Sequence, residues 1–233
     1  MRSPTREAQN SAPFRCHADS LGMASTPRTA PSKLRNLLVC SIGNPGPQYA
    51  STRHSVGHII LNMLVAEHGR SLRKVVSRGL NGELHLGQSV LNQNTVEHEI
   101  AFFKSISYMN TSGPAVLNAL HWSQRHFGVG QVTLVVLHDE MSLPVGKISA
   151  RIGGSTRGHN GLKSIVSRIP AKDFVKLSIG IDRPVSHDPN DVAEYVLSKI
   201  PKHDLQIFYD EVYPKVFERL AEIELGAAKL TGR

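Results

Sequence analysis

Leu37-Leu38-Val39-Cys40-Ser41-Ile42, broken at once by Gly43-Asn44-Pro45-Gly46, decides how the rest of the chain is read. A short run that is apolar on both of its alternating faces reads as a strand covered by other layers on both sides. The Gly-Asn-Pro-Gly turn that ends it is followed by a helical pattern from about Ser55 to His68. Val56, Ile59, Ile60, Met63 and Leu64 give that helix one apolar face, and Gly69 stops it. A buried strand running through a turn into an amphipathic helix is the opening of an α/β layered domain.

The same alternation continues along the chain. Strands are expected near 80–90 and 100–104, and a helix over about 112–127 with Val116, Leu117, Leu120 and Phe127 inward. Val132 to Leu137 is a second continuous apolar strand, and His138-Asp139-Glu140 is expected to follow it. Lys147 to Ile152 alternates like a strand exposed on one side, Gly161 to Ile169 suggests a helix, and Val175 to Ile181 a strand. Two helices are expected near 190–198 and 204–225. The expected fold is one α/β domain, a twisted mixed sheet sandwiched between helices, over residues 36–233.

Upstream of it, residues 1–35 are rich in Ser, Thr, Ala, Pro and Arg and poor in large apolar residues. Such a segment buries too little surface to offset its ordering entropy and is expected to be disordered. Its Arg-rich, acid-poor character fits a mitochondrial transit peptide; an untargeted tail, or a start at Met23, fits as well, so both mitochondrion and cytoplasm stay open. No stretch approaches the roughly 20 apolar residues of a membrane helix. Two cysteines, Cys16 in the tail and Cys40 in the first strand, exclude a disulfide scaffold and deprive zinc of sulfur ligands.

The net charge of +8 is unevenly spread over the 233 residues. Between Lys147 and Lys176, Lys147, Arg151, Arg157, Lys163, Arg168, Lys172 and Lys176 face Asp173 alone, as expected of a surface that meets a polyanion such as nucleic acid.

Several familiar motifs fail on inspection. Gly43 to Gly46 lacks dinucleotide-loop spacing, and Pro45 removes an amide that would hold phosphate. Gly153-Gly154-Ser155-Thr156-Arg157 misses the nucleophile elbow because Arg157 stands where its last glycine belongs. Gly158-His159-Asn160-Gly161 has the G-x-x-G form of an RNA-clamping loop, but its surroundings do not match. His54 and His58 have helical i, i+4 spacing for a metal, without the glutamate of zinc proteases or an evident third ligand. No metal and no cofactor are therefore expected.

Five polar clusters are left: Gly43 to Gly46 with Tyr49, Thr52 to Gly57, Tyr108 to Gly113, His138 to Glu140, and Gly153 to Gly161. Singly each reads as a turn or cap. Gathered at strand ends they supply a base, a carboxylate, amides and a glycine loop, the inventory of a hydrolytic site.

In that order, Ile42-Gly43-Asn44-Pro45-Gly46, Thr52-Arg53-His54, Tyr108-Met109-Asn110-Thr111-Ser112-Gly113, His138-Asp139-Glu140 with Leu143-Pro144-Val145-Gly146, and Gly158-His159-Asn160-Gly161-Leu162-Lys163 resemble the bacterial-type peptidyl-tRNA hydrolase family over residues 36–225. The resemblance implies a monomeric, metal-independent esterase that cuts the peptide from the 3′ end of tRNA. It implies that His54 is the general base, Asp139 its carboxylate partner and Asn110 a donor to the developing oxyanion. Asn44 and Asn160 would bind the peptide backbone and the tRNA terminus; Tyr49 and Met109 would line the site; His159 would touch the acceptor stem or brace its own loop. Arg151, Arg157 and Lys163 would hold phosphates, positioning RNA without reading its sequence. The implied partner is peptidyl-tRNA, with no DNA and no membrane. By its place at a helix start, His54 is expected to resist protonation.

Two departures stand out. Ser155-Thr156-Arg157 interrupts a loop that is often almost all Gly and His in the family, and Ser178 stands where bacterial members often carry a basic residue. Lys176 shares the strand face of Ser178 but lies about 7 Å away, too far to be a direct replacement. The competing readings are a non-catalytic RNA-binding protein of the same fold, of the organelle splicing-factor type, and an esterase or amidase of small acylated compounds. The first needs the basic surface but not His54, Asp139 and Asn110 together; the second needs the cleft but not the basic segment.

Overall fold

The computed structural model describes residues 35–92, 98–228 and 230; of the tail reading over 1–35, all but Arg35 lies outside them. Seven strands form one mixed sheet: β1 (Asn36–Ser41), β2 (Leu72–Val75), β3 (Gly82–Gln88), β4 (Glu99–Ser105), β5 (Val132–Glu140), β6 (Ile148–Ile152) and β7 (Val175–Gly180), in the order β2-β3-β4-β1-β5-β7-β6. The central β4, β1, β5 and β7 run parallel, and β3, β2 and β6 run antiparallel to their neighbours. β1 pairs Leu37 with Ile100 on one side and with Thr133 on the other.

Alternation along β1 divides the core in two. Leu37 and Val39 face one side of the sheet with Val135, Leu137, Leu177 and Ile179. They are covered there by α1 (Val56–His68) through Val56, Ile60 and Leu64, and by α6 (Tyr213–Glu224) through Val216 and Leu220. Leu38 and Cys40 face the other side with Phe103, Leu134 and Val136, under α2 (Ser112–Phe127) and α3 (Asn160–Val166). Each fully buried Leu or Phe contributes about 1.5–3 kcal/mol, so both faces of the central strands are anchored. No helix among the described residues is long and apolar enough to cross a membrane.

Some expectations need correction. β2 was not anticipated: Leu72-Arg73-Lys74-Val75 is a short, largely solvated edge with too few apolar residues to signal a strand. β5 continues through His138, Asp139 and Glu140, so these residues end the strand instead of following it. The buried stripe of α2 is Ala115, Val116, Ala119 and Ser123; Leu117, Leu120 and Phe127 are only half-buried at its flank. Small residues point inward because α2 lies close to α3, where a side chain at Gly113 would strike the Ser164 carbonyl. The expected final helix divides into α5 (Lys202–Ile207), a π turn at Phe208–Val212, and α6. The other C-terminal helix is α4 (Pro189–Leu197), begun by Asp188, whose carboxylate accepts from Asn190 N at 2.8 Å, and by Pro189 in the first turn.

β1 leads into α1 on one face, while β4 leads into α2 on the other. The carboxyl ends of these adjacent parallel strands therefore open a crevice, the expected ligand position in an open α/β sheet.

Candidate active site

Four strand-end segments meet at that crevice. His54 lies on the 3-10 turn Arg53–Ser55 that leads into α1. Gly57 allows this approach, because a methyl group there would sit 2.6 Å from the Leu137 carbonyl oxygen. α1 can thus lie almost against β5, two residues before Asp139. His54 Nδ1 is 2.8 Å from Asp139 Oδ1. Asp139 is 3 % exposed and His54 13 %, so the pair is screened from bulk water.

Asp139 Oδ1 receives a second imidazole, His159 Nε2, at 2.9 Å. His159 caps α3, its Nδ1 accepting from the Leu162 backbone N–H at 3.2 Å. A nitrogen that accepts carries no proton, so Nε2 is the donor to Asp139. Asp139 likewise requires His54 to donate from Nδ1, which leaves His54 Nε2 as the free base nitrogen, with no partner among the described residues. Burial alone would raise the Asp139 carboxyl, but the charges and hydrogen bonds of His159 and His54 hold it far below the usual carboxylate range.

Burial pushes His54 down, yet Asp139 outweighs it and the net shift is upward. This corrects the expectation that a helix start would resist protonation: a buried carboxylate at 2.8 Å overrides the weak field of a helix end.

His54 and His58, four positions apart, do not form a helical pair. The 3-10 turn sets His54 apart from the α1 periodicity, and His58 turns inward to Ser41 Oγ at 2.7 Å. Burial, with Lys104 adding to it, lowers His58 to about 3. Among the described residues, the groups that do converge at metal-ligand distances are His54, Asp139 and His159, and their facing atoms are engaged with one another.

A cavity of about 440 Å³ opens beside the dyad. Asn44, Met109, Asn110, Arg157, His159 and Asn160 line it with His54 and Asp139. Asn44 Oδ1 accepts from Met109 N at 2.9 Å, which fixes its amide group toward the cavity and ties the β1 turn to the turn carrying Asn110. Asn110 is exposed, and its side chain makes no hydrogen bond among the described residues, so its donors are available. Met109 is buried, packed where a side chain on Gly161 would strike it. Tyr49 and Lys163 line neither this cavity nor the next. Tyr49 is a turn residue, and Lys163 reaches Asn160 Oδ1 at 3.4 Å.

The far wall was not anticipated. Pro189, Val192, Ala193, Val196 and Leu197 of α4 form an apolar shelf, and Tyr108, 60 % exposed, stands at the mouth. Arg53 bolts this shelf to the His54 turn, donating to Ser198 Oγ at 2.6 Å and lying 4.4 Å over the Tyr195 ring. Its spacing is that of an ordinary core-facing helix, so the sequence carries no signal of a cavity wall.

A second cavity, about 570 Å³, lies behind the Gly153–Gly158 loop. Arg151, Arg157 and Lys176 line it with His138 and Ser178. Lys176 is 6 % exposed, and its ammonium donates to the Gly154 and Ser155 carbonyls at 3.2 and 2.9 Å. Burial, reinforced by Arg157 and Arg151, pushes Lys176 down. Lys176 does not take the place of Ser178, but both serve the same cavity. Ser178 is turned to His138 Nε2 at 3.0 Å, while His138 Nδ1 donates to the Asp139 carbonyl at 2.7 Å. Burial, ahead of the neighbouring His159, lowers His138 to about 4 and keeps it neutral.

The profile of the peptidyl-tRNA hydrolase family matches residues 38–230. The peptidyl-tRNA hydrolase of Rhodococcus erythropolis is 34% identical over 193 residues, covering 82% of this chain and 95% of that protein. That of Solidesulfovibrio magneticus is 37% identical over 164 residues, 69% of this chain and 74% of its own length. The crystal structure of peptidyl-tRNA hydrolase from Acinetobacter baumannii shares the fold with a TM-score of 0.68 at 27% identity, over 85% of this chain and 92% of that one.

Proposed function

Because this chain belongs to the peptidyl-tRNA hydrolase family, and is therefore a hydrolase of peptidyl-tRNA, we propose how its residues carry the reaction. A water held beside His54 Nε2 gives up its proton to that nitrogen as its oxygen attacks the ester carbonyl. Asp139 fixes the tautomer through Nδ1 and stabilises the imidazolium that forms. Asn110 donates to the developing oxyanion, and the proton on His54 then passes to the departing 3′ oxygen of the tRNA. His159 braces Asp139 through the same oxygen that His54 engages. The observation that carries this reading is the 2.8 Å contact between His54 and a buried carboxylate, with the opposite nitrogen left unpartnered at a cavity.

The amide groups of Asn44 and Asn160 suit the peptide backbone and the tRNA terminus, with the α4 shelf offering apolar surface opposite. Arg151, Arg157 and Lys176 in the rear cavity suit phosphates of the acceptor stem, with Lys163 on the adjoining surface. Contacts of that kind leave sequence unread, as an enzyme serving many tRNAs requires. The protein would act as a monomer, in the mitochondrion or the cytoplasm, with the Arg-rich residues 1–35 favouring the mitochondrion.

The test is hydrolysis of N-acetylaminoacyl-tRNA in ¹⁸O-labelled water. Label in the released amino-acid carboxylate supports water attack at the acyl carbon; label in the tRNA 3′ hydroxyl overturns it. Chelators should leave the rate unchanged; inhibition reversed by added zinc would contradict a metal-free His54–Asp139 pair.

A further inference from the structure

Glu140 lies between the two cavities and lines both, as do Thr156 and Arg157. It follows Asp139 on β5, and its side chain is 14 % exposed. Three cations, Arg151, Arg157 and Lys176, line the rear cavity, and Glu140 is the one acidic side chain among its lining residues. The Glu140 pairing with Arg157 is loose: Arg157 Nη1 is 3.7 Å from Oε2, beyond hydrogen-bond range. Glu140 is held back by its own anchor, since Oε1 accepts from Ser142 N at 3.0 Å. Arg157 spends Nη1 on Ser142 Oγ at 2.6 Å, and its backbone sits at φ 46°, a conformation a non-glycine residue adopts only when its surroundings hold it there. The guanidinium, half-exposed and tied to Ser142, thus lies beside an anion it does not fully engage.

We propose that Glu140 is a built-in counter-ion of the rear cavity, standing beside Arg157 where a nucleic-acid phosphate takes over, so that it weakens phosphate binding and hastens release of the product tRNA. The inference rests on the rear cavity holding phosphate. A phosphate oxygen can form the short charge-assisted bond to Arg157 that Glu140 does not. Binding must then occur against a resident negative charge, which suits an enzyme that has to let go of each tRNA it has processed.

The experiment is direct binding of a 5′-phosphorylated acceptor-stem RNA hairpin to wild type, Glu140→Gln, Glu140→Asp and Arg151→Gln. Glutamine preserves the acceptor for Ser142 N while removing the charge. Glu140→Gln should tighten binding about fivefold, the scale of a partly exposed ion pair, and Glu140→Asp should stay near wild type. At low salt, Glu140→Gln should also slow multiple turnover more than single turnover. Affinity no tighter than wild type in Glu140→Gln, or an equal gain in Glu140→Asp, overturns the counter-ion. A hairpin bearing a 5′ hydroxyl identifies the source: loss of the gain assigns the seat to a terminal monoester, and persistence assigns it to backbone diesters. Failure of the underlying reading is separately visible, because Arg151→Gln would then bind the hairpin as tightly as wild type.

Discussion

The two cavities either side of the Gly153–Gly158 loop share residues but oppose each other in chemistry. In the front one the ionisable groups at the dyad are matched: a buried carboxylate is closed by two imidazoles, and an apolar helix face stands opposite. In the rear one Arg151, Arg157 and Lys176 face a single carboxylate, anchored to Ser142 N and only loosely paired with Arg157. Matched charge fixes geometry, as a reacting centre requires; surplus charge attracts a partner and remains sensitive to salt. Substitutions at the dyad should therefore damage turnover, and substitutions of the rear cations should damage affinity.

His54→Ala should have the largest effect. Single-turnover release should fall about 10³–10⁴-fold, with tRNA affinity within about twofold of wild type; lost affinity with normal turnover of bound substrate would break the division of labour. Asp139→Asn comes next, lowering kcat by on the order of 10²-fold with little change in affinity. It should also change the pH profile. The base must be unprotonated, so the rate rises with pH through the His54 pKa, which Asp139 holds above the ordinary imidazole value. Removing the carboxylate should move that acid limb to lower pH; an unmoved limb would take Asp139 out of the mechanism.

Asn110→Ala should cost about 3 kcal/mol of transition-state stabilisation, roughly a hundredfold in kcat, read from steady-state rates at saturating substrate. The smallest effects lie behind the loop. Arg151→Gln should raise KM severalfold, leave kcat close to wild type, and reduce the slope of log affinity against log salt by about one. A kcat effect larger than the KM effect would merge the two cavities into one functional unit.

What could be read in the sequence follows the same contrast. β1, α1 and β5 were legible because continuous apolar runs and a helical stripe report layers covered by a core. The resemblance to a known family drew His54, Asp139, Asn110 and Asn44 together, and all four line the front cavity. The pairing of His159 with Asp139 was not legible. Nothing in a spacing of 20 residues reports it, and histidine is not among the usual helix caps. The shelf on α4 was hidden because Val192 and Val196 have core-like spacing yet face a cavity. Lys176 looked like one more surface cation on a basic segment, whereas β7 is a central strand and carries that ammonium indoors. Single-residue chemistry was readable where it coincided with a turn or a strand end, and was lost where it depended on which side of a loop a chain segment lies.

The most direct test is release of labelled N-acetylated amino acid from tRNA by the purified protein beside its His54→Ala variant, with tRNA binding measured on both. The structure predicts release by the first only, and binding by both. No release by either, with tRNA still bound, would contradict the catalytic assignment and leave an RNA-binding protein built on the same fold.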